Sequence, residues 1–234
     1  MREIPEKERL QQHLAAFQLN EVFPERLQEH LALYRFEPGE AICAQGEQAE
    51  YVFVLVKGKI KVHTTTSEGK TLIISFKTPL EVIGDIEYIR GGENLNTVSA
   101  VTPVEMIGVR HRWLRAYGQE APLLQFLLEI ITRKFYSKSV SMSFNLLHPV
   151  EVRLASYLLS VSYEPGEEEG PYPGGLTVES LKDTANLIGT SYRHLNRVVQ
   201  RFCAEGLIER NRGALTVIDR HGLKAIAGRN IYEI

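Results

Sequence analysis

The clearest hydrophobic pattern in the chain runs from Thr190 to Cys203. Apolar residues recur there at the i, i+3, i+4 and i+7 positions of a helix, and they are Leu195, Val198, Val199 and Phe202. The opposite side carries amide and guanidinium groups from Arg193, Asn196, Arg197, Gln200 and Arg201. The pattern predicts a helix that buries one face and presents a polar row to solvent. Arg, Asn and Gln are the residues that read guanine and adenine edges in a major groove.

A second amphipathic helix is predicted immediately upstream, from Thr177 to Ile188, and Gly189 follows it. Glycine tolerates the left-handed backbone of a helix C-cap, and Thr190 or Ser191 can cap the next helix. Two short helices joined by a glycine turn predict a helix-turn-helix, whose second helix enters the major groove. A cationic helix without such neighbours would be only a solvated face.

Two apolar runs downstream, separated by Asn211-Arg212-Gly213, predict a β-hairpin. A hairpin in this place is a wing, and we expect Arg210 and Arg212 to rest on phosphates. Asp219 is expected to cap a last short helix. The run from Leu181 to Ile208 resembles the winged helix-turn-helix of the Crp-Fnr family of bacterial transcription regulators.

The Crp-Fnr resemblance implies a DNA-reading role for the start of the helix. It implies base contacts from Tyr192, Arg193 and Arg197 and phosphate contacts from Thr190 and Ser191. The polar row adds Asn196 and Arg201 as candidates, and the wing adds Arg212. Many family members have Arg-Glu where this chain has Tyr192-Arg193, so the family's common operator is not expected. The resemblance also implies a homodimer on a palindromic double-stranded site, with RNA polymerase as a partner.

Residues from about Tyr34 to Trp113 alternate short β-branched runs with turn signals, which predicts an antiparallel barrel or jelly roll. The order of the landmarks resembles the cyclic-nucleotide-binding β-roll of the same family; they are Pro38-Gly39-Glu40, Gln45-Gly46-Glu47, Gly58 and Ile83-Gly84-Asp85. The expected fold is therefore α+β, with a sensory β-roll at 1–120, a dimerisation helix at 121–148 and a winged helix-turn-helix at 149–234.

The resemblance fails at the residues that hold the nucleotide in family members. A Gly-Glu pair and an Arg-Ser pair there bind the ribose and the cyclic phosphate; this chain has Gly84-Asp85 and Asn94-Leu95. Burying a phosphate without a cationic partner is costly, so cyclic-nucleotide binding is not expected. We keep these four residues and Lys138 as a candidate pocket for an unknown effector. No cofactor is expected.

A long helix is predicted from about Pro122. Its residues spaced alternately by four and three form the seam of a two-stranded coiled coil, and they are Leu124, Leu128, Ile131, Phe135, Lys138, Met142 and Asn145. Burial inside one domain explains such a stripe as well, but a β-roll and a DNA-reading helix on either side favour a dimer seam. We expect the apolar members to carry it.

Charge and composition fit an intracellular regulator. Residues 176–234 hold 9 Lys and Arg against 6 Asp and Glu, a net charge of +3, and the remainder holds 18 against 23, or −5. No apolar run reaches the roughly 20 residues that span a bilayer, and we expect a cytoplasmic protein. Metal-ligand spacings and catalytic motifs are absent from the sequence, so neither a metal nor an enzyme is expected. A cyclic-nucleotide-responsive regulator and a thiol sensor acting through Cys203 remain alternatives.

Overall fold

The computed structural model describes residues 1–69, 71–161, 178–211 and 214–228. The chain forms two compact units, Met1–Lys134 and Phe135–Ile234. The division between them falls within one long helix, Ala121–Leu147.

Antiparallel strands dominate the first unit. They are β1 (Arg2–Ile4), β2 (Ala32–Phe36), β3 (Ala41–Cys43), β4 (Tyr51–Lys57), β5 (Ile60–Thr65), β6 (Thr71–Lys77), β7 (Glu81–Ile83), β8 (Thr97–Ala100) and β9 (Val104–Arg110). The helices of this unit are α1 (Lys7–Ala16), α2 (Glu25–Gln28), α3 (Asp85–Arg90), α4 (His111–Tyr117) and the first half of α5 (Ala121–Leu147).

These strands form a β-roll of two sheets, with five strands in the order β1-β2-β9-β4-β7 and four in the order β3-β8-β5-β6. Side chains from both sheets share one core, including Phe36, Leu55 and Met106 from the first and Ile60 and Val98 from the second. The other face of the five-stranded sheet packs against helices. The predicted antiparallel roll is confirmed.

The sequence of strand β4 is a continuous apolar run because the strand is buried on both faces. Val52, Val54 and Val56 belong to the core under the helices, whereas Phe53 and Leu55 belong to the core between the sheets. A strand buried on both faces has no polar alternate positions. The run from residue 52 to 56 is therefore apolar throughout.

Helix α1 is attached to the roll by charge as well as by burial. Leu10 and Leu14 enter the core beneath the five-stranded sheet. Arg9 and His13 on the same helix bond to the carboxylate of Glu105 in β9, with 2.9 Å between His13 Nε2 and Glu105 Oε2. The sequence pattern did not predict this helix.

The second unit contains the rest of α5, then α6 (Val150–Val161), α7 (Val178–Leu187), α8 (Tyr192–Ala204), β10 (Ile208–Asn211), β11 (Ala214–Val217) and α9 (Arg220–Ala227). Strands β10 and β11 pair antiparallel, with Ile208 opposite Val217. One core joins α6, α7, α8, the hairpin and α9. The predicted helix-turn-helix, its hairpin and the last helix are confirmed.

Helix α5 has two apolar stripes with different surroundings. Leu123, Leu127 and Ile130 are buried in the core of the first unit. The stripe predicted as a dimer seam is largely exposed: Leu124 is 40% exposed, Leu128 65%, Phe135 73% and Met142 63%. Ile131 is half-buried. The seam residues are thus apolar side chains that the chain's own cores do not take up.

Candidate nucleic-acid interface

Helix α8 begins at a side-chain cap and is oriented by its apolar stripe. Ser191 precedes the first turn, and its hydroxyl accepts a hydrogen bond from the His194 N–H at 3.2 Å. Leu195, Val198, Val199 and Phe202 are all buried, as their spacing predicted. Because this stripe fixes the rotation of the helix, the opposite row of polar side chains faces solvent.

The turn between α7 and α8 is built on glycine. Gly189 has a φ of +66°, in the left-handed region, and the Thr190 N–H donates to the Ala185 carbonyl at 2.9 Å. This is the arrangement of a glycine-terminated helix end. Ala185 is buried in the core it shares with α8, where a larger side chain would push the two helices apart.

Arg153 in α6 also supports this turn. It is buried, and its guanidinium donates to the carbonyls of Ile188 and Gly189. These carbonyls follow α7, where backbone acceptors lack helical partners. Sequence reasoning missed Arg153. The available signal was a charged residue inside the otherwise apolar stretch that starts α6.

Several polar side chains of α8 and of the turn before it are exposed to solvent. Ser191, Tyr192, Arg193 and Arg197 are exposed, whereas Thr190 is half-buried. Within the described part of the chain, neither Arg193 nor Arg197 has an ion-pair partner. Two uncompensated guanidinium groups one turn apart form a surface suited to phosphates and guanine edges.

Two other members of the polar row, Asn196 and Arg201, are held by neighbouring elements. Arg201 Nη2 lies 2.9 Å from Glu151 Oε1 in α6, and Arg210 of the wing donates to Asn196 Oδ1 at 3.2 Å. The pKa of Glu151 is lowered by its backbone hydrogen bond and by the charge of Arg201. Arg212 lies outside the described residues. The assignment of these side chains to DNA stays a prediction.

The candidate effector residues Gly84 and Asp85 lie at the start of α3. Gly84 has a φ of +86°, and a Cβ there would collide with the Tyr51 carbonyl. Asp85 is 2% exposed, and Lys134 Nζ lies 2.9 Å from each of its carboxylate oxygens. The same ammonium donates to the Val82 carbonyl at 2.5 Å and lies 3.5 Å from Glu81 Oε1. An internal cation already neutralises this acid.

Glu81 completes this buried charge network, since Lys77 Nζ lies 2.9 Å from its Oε2. Burial raises the pKa of Glu81, but the charges of Lys134 and Lys77 outweigh burial and leave that pKa below its usual value. Lys134 was not among the sequence candidates. Its partners are more than forty positions away, so no local spacing reveals it.

The remaining candidate effector residues have other surroundings. The Asn94 side chain donates to the Glu47 carbonyl at 3.1 Å, and the Leu95 N–H donates to Glu87 Oε1 at 2.9 Å. The Leu95 side chain is 48% exposed. Lys138 belongs to the second compact unit. Their role as an effector pocket stays a prediction.

The cysteines are both free thiols and both half-buried. Burial raises the pKa of Cys43 to about 11, which keeps it protonated at neutral pH. Cys203 packs against the core of the second unit near the end of α8. Among the described residues, no three His, Cys, Asp or Glu side chains gather as metal ligands would. The helices in the described ranges are too short or too polar to cross a membrane.

Comparisons with known proteins agree with this architecture. Residues 33–120 match the family model of the cyclic nucleotide-binding domain, and residues 152–226 match that of the Crp-like helix-turn-helix domain. The regulatory protein YeiL of Escherichia coli O157:H7 is 26% identical over 196 residues, which cover 83% of this chain and 85% of YeiL.

More distant similarities extend over comparable lengths. The CRP-like cAMP-activated global transcriptional regulator of Mycobacterium tuberculosis is 21% identical over 80% of this chain and 84% of its own length. A solved CRP-family regulator from Thermus thermophilus shares the fold with a TM-score of 0.70 at 19% identity, covering 86% of this chain and 100% of that one. The chain belongs to the Crp-Fnr family of transcription regulators, and its C-terminal part is the DNA-binding helix-turn-helix domain of that family.

Proposed function

We propose that the protein works as a homodimer that binds a palindromic double-stranded operator, and that its β-roll responds to a signal other than a cyclic nucleotide. The observation that carries the dimer is the exposed apolar stripe on α5. Exposed large apolar patches mark interaction surfaces. A stripe spaced by four and three matches a second copy of the same helix.

Pairing of two α5 helices gives a two-fold axis, which suits a palindromic site. Two recognition helices related by such an axis meet half-sites about 34 Å apart, one turn of DNA. In each protomer, Arg193 and Arg197 would reach base edges from the exposed face of α8. Tyr192 would contribute an aromatic contact where many family members have a guanidinium.

The dimer is tested by placing charge in the stripe. Phe135→Glu and Leu128→Glu should leave the fold intact, since both side chains are exposed, and should shift the protein to monomer in sedimentation velocity. Ile89→Glu is the matched control, because Ile89 is an apolar residue 63% exposed outside α5. A wild-type protein that sediments as a monomer at micromolar concentration contradicts the proposal.

The exclusion of cyclic nucleotides rests on Asp85 and Asn94. Asp85 is buried against Lys134, and the Asn94 amide is bonded to the Glu47 backbone. Neither position supplies the guanidinium that a cyclic phosphate requires when it leaves water. Titration calorimetry with cyclic AMP should therefore give no saturable heat. Saturable binding at micromolar concentrations would establish the cyclic-nucleotide-responsive alternative.

The proposed site of action is chromosomal DNA in the cytoplasm, with RNA polymerase as the partner that the regulator recruits or blocks. The thiol-sensing alternative is tested at Cys203, whose oxidation would disturb the end of α8. We expect Cys203→Ser to bind DNA as the reduced wild type does. Loss of DNA binding on oxidation of the wild type, absent from Cys203→Ser, would support the thiol sensor instead.

A further inference from the structure

A cleft in the β-roll unit is bordered by the residues that follow α3 and by the residues where β9 passes into α4. It has a volume of about 330 Å³, and its lining includes Glu50, Gly92, Arg110, His111, Arg112 and Arg115. None of the candidate effector residues lies in this lining. Its size is at the lower end of pockets that hold small molecules.

Backbone hydrogen bonds fix the walls of the cleft. The segment 48–50 is bonded to residues on both sides of it. The Ala49 N–H donates to the Gly92 carbonyl at 3.3 Å, and the His111 N–H donates to the Glu50 carbonyl at 2.8 Å. Gln48 adds a side-chain bond to the Gly92 carbonyl at 3.2 Å. The two walls are therefore held at a fixed separation before any ligand arrives.

The charge of the lining is strongly positive. Three arginines face one acid, Glu50, which lies 3.5 Å from Arg110 Nη1. Arg110 also lies over the Tyr51 ring at 4.9 Å, and Arg112 lies over the Trp113 ring at 4.8 Å. Stacking on rings holds each guanidinium plane but leaves its N–H donors available. Arg115 has no ion-pair partner within the described ranges.

A buried histidine provides a second, independent observation. His111 is 8% exposed, and its Nε2 has no hydrogen-bond partner in the described part of the structure. Its ring packs edge-on against Tyr88 at 5.6 Å. Buried polar atoms are rarely left without a partner, so a residue that lines the cleft carries an unsatisfied hydrogen-bonding atom.

We propose that this cleft binds a small molecule through its phosphate or carboxylate groups, with Arg110 and Arg115 as the principal contacts. Fork-shaped guanidinium groups bind such oxyanions through paired charge-assisted hydrogen bonds. The anion would replace Glu50 as the partner of Arg110. The β-roll would then sense an anionic metabolite at a place separate from the Gly84-Asp85 region.

The single tryptophan of the chain makes the test direct. Trp113 contacts Arg112, so an anion in the cleft should change its fluorescence. Pyrophosphate and citrate, titrated separately into the full-length protein at fixed ionic strength, distinguish phosphate from carboxylate ligands. Saturable fluorescence change and calorimetric heat with either probe are expected.

Variants locate the binding. Arg110→Gln combined with Arg115→Gln should weaken the affinity about tenfold or more, since each removes a charge-assisted contact. Arg35→Gln is the matched control, because Arg35 is also an exposed strand arginine paired with one carboxylate, Glu37, at 2.8 Å. Its affinity should stay within about twofold of the wild type.

Two results would overturn the proposal. One is absence of saturable binding of both probes to the wild type. The other is binding that survives in the Arg110→Gln, Arg115→Gln variant or that is lost in Arg197→Gln, since the latter places the anion on the recognition helix. Arg197→Gln should keep the full response of Trp113.

Discussion

Lys134 in α5 places its ammonium 2.9 Å from both carboxylate oxygens of Asp85 at the start of α3. The aspartate is one of the residues that the sequence resemblance marked as a candidate effector contact. The lysine thus supplies, from within the chain, the charge partner that this buried carboxylate requires. It also fixes the first half of α5 to the β-roll.

We expect Lys134→Met to destabilise the first unit by about 3–5 kcal/mol, because Asp85 and Glu81 would remain buried without this cation. Urea unfolding followed by Trp113 fluorescence measures the change. Arg133→Met is the control: within the described ranges the exposed Arg133 donates to the Leu80 carbonyl alone, and its loss should cost about 1 kcal/mol.

A double variant separates charge from packing. Adding Asp85→Asn to Lys134→Met removes one unpaired charge. The double variant should therefore lose less stability than the two single variants lose in sum. Additive effects would mean that Lys134 stabilises the unit by packing alone.

We expect the bonds from Arg9 and His13 to Glu105 to stabilise the first unit less in acid. Burial raises the pKa of Glu105, but the hydrogen bond from His13 and the charge of Arg9 outweigh burial and leave the pKa lowered. A carboxylate with a lowered pKa in the folded state stabilises above its unfolded pKa of about 4.3 and loses this contribution as the pH falls through the folded value.

The free energy of unfolding of the wild type should therefore exceed that of Glu105→Gln. This difference should be largest above about pH 5 and should shrink toward pH 3. Denaturant unfolding at several pH values gives this difference. Glu3→Gln, a change at an exposed strand position, should show no such pH dependence. A constant difference between wild type and Glu105→Gln would show that Glu105 does not titrate with folding.

We predict unequal roles for the arginines of α8, the helix proposed to read DNA. Arg197→Ala should lose about 1–3 kcal/mol of discrimination at one base pair, as expected for a bidentate contact to guanine. Arg201→Ala should leave discrimination unchanged and cost at most about 1 kcal/mol of stability, because Arg201 is paired with Glu151.

Competition binding with single-base operator variants measures both changes. Equal weakening on every sequence in Arg197→Ala would make Arg197 a phosphate contact. Altered base preference in Arg201→Ala would mean that the Glu151 pair opens when DNA binds.

We expect Arg153 to hold the turn between α7 and α8 in position. Arg153→Met leaves the Ile188 and Gly189 carbonyls without their donor, which should cost about 1–3 kcal/mol and lower DNA affinity evenly across sequences. Arg153→Lys keeps a cationic donor and should restore part of the affinity. Hydrogen exchange of the α8 amides reports the turn directly. Unchanged exchange in Arg153→Met would remove Arg153 from this role.

Local sequence patterns predicted the elements whose signals are themselves local. The stripe of α8, a cap from Thr190 or Ser191, Gly189 and the hairpin all follow from spacing and backbone preference. Each is present, and Ser191 is the residue that caps the helix. Contacts between distant residues were not predictable in this way. Lys134 meets Asp85, and Arg9 meets Glu105, only after the sheet and helices have assembled.

The helical pattern placed Asn196 and Arg201 on the same polar face as Arg193 and Arg197. In the structure, Arg201 forms an ion pair with Glu151 of α6, and Asn196 accepts a hydrogen bond from Arg210 of the wing. Periodicity shows which side of a helix is polar. It carries no information on which of those polar groups a neighbouring helix or strand engages.

Selection from random duplex DNA tests the central claim most directly. The purified, reduced protein is incubated with the pool at fixed salt without added ligand, and the retained DNA is sequenced. We predict an enriched palindrome whose half-sites are centred about one turn, or 10 base pairs, apart. Retention that is unselective and disappears with rising salt would contradict a sequence-reading dimer.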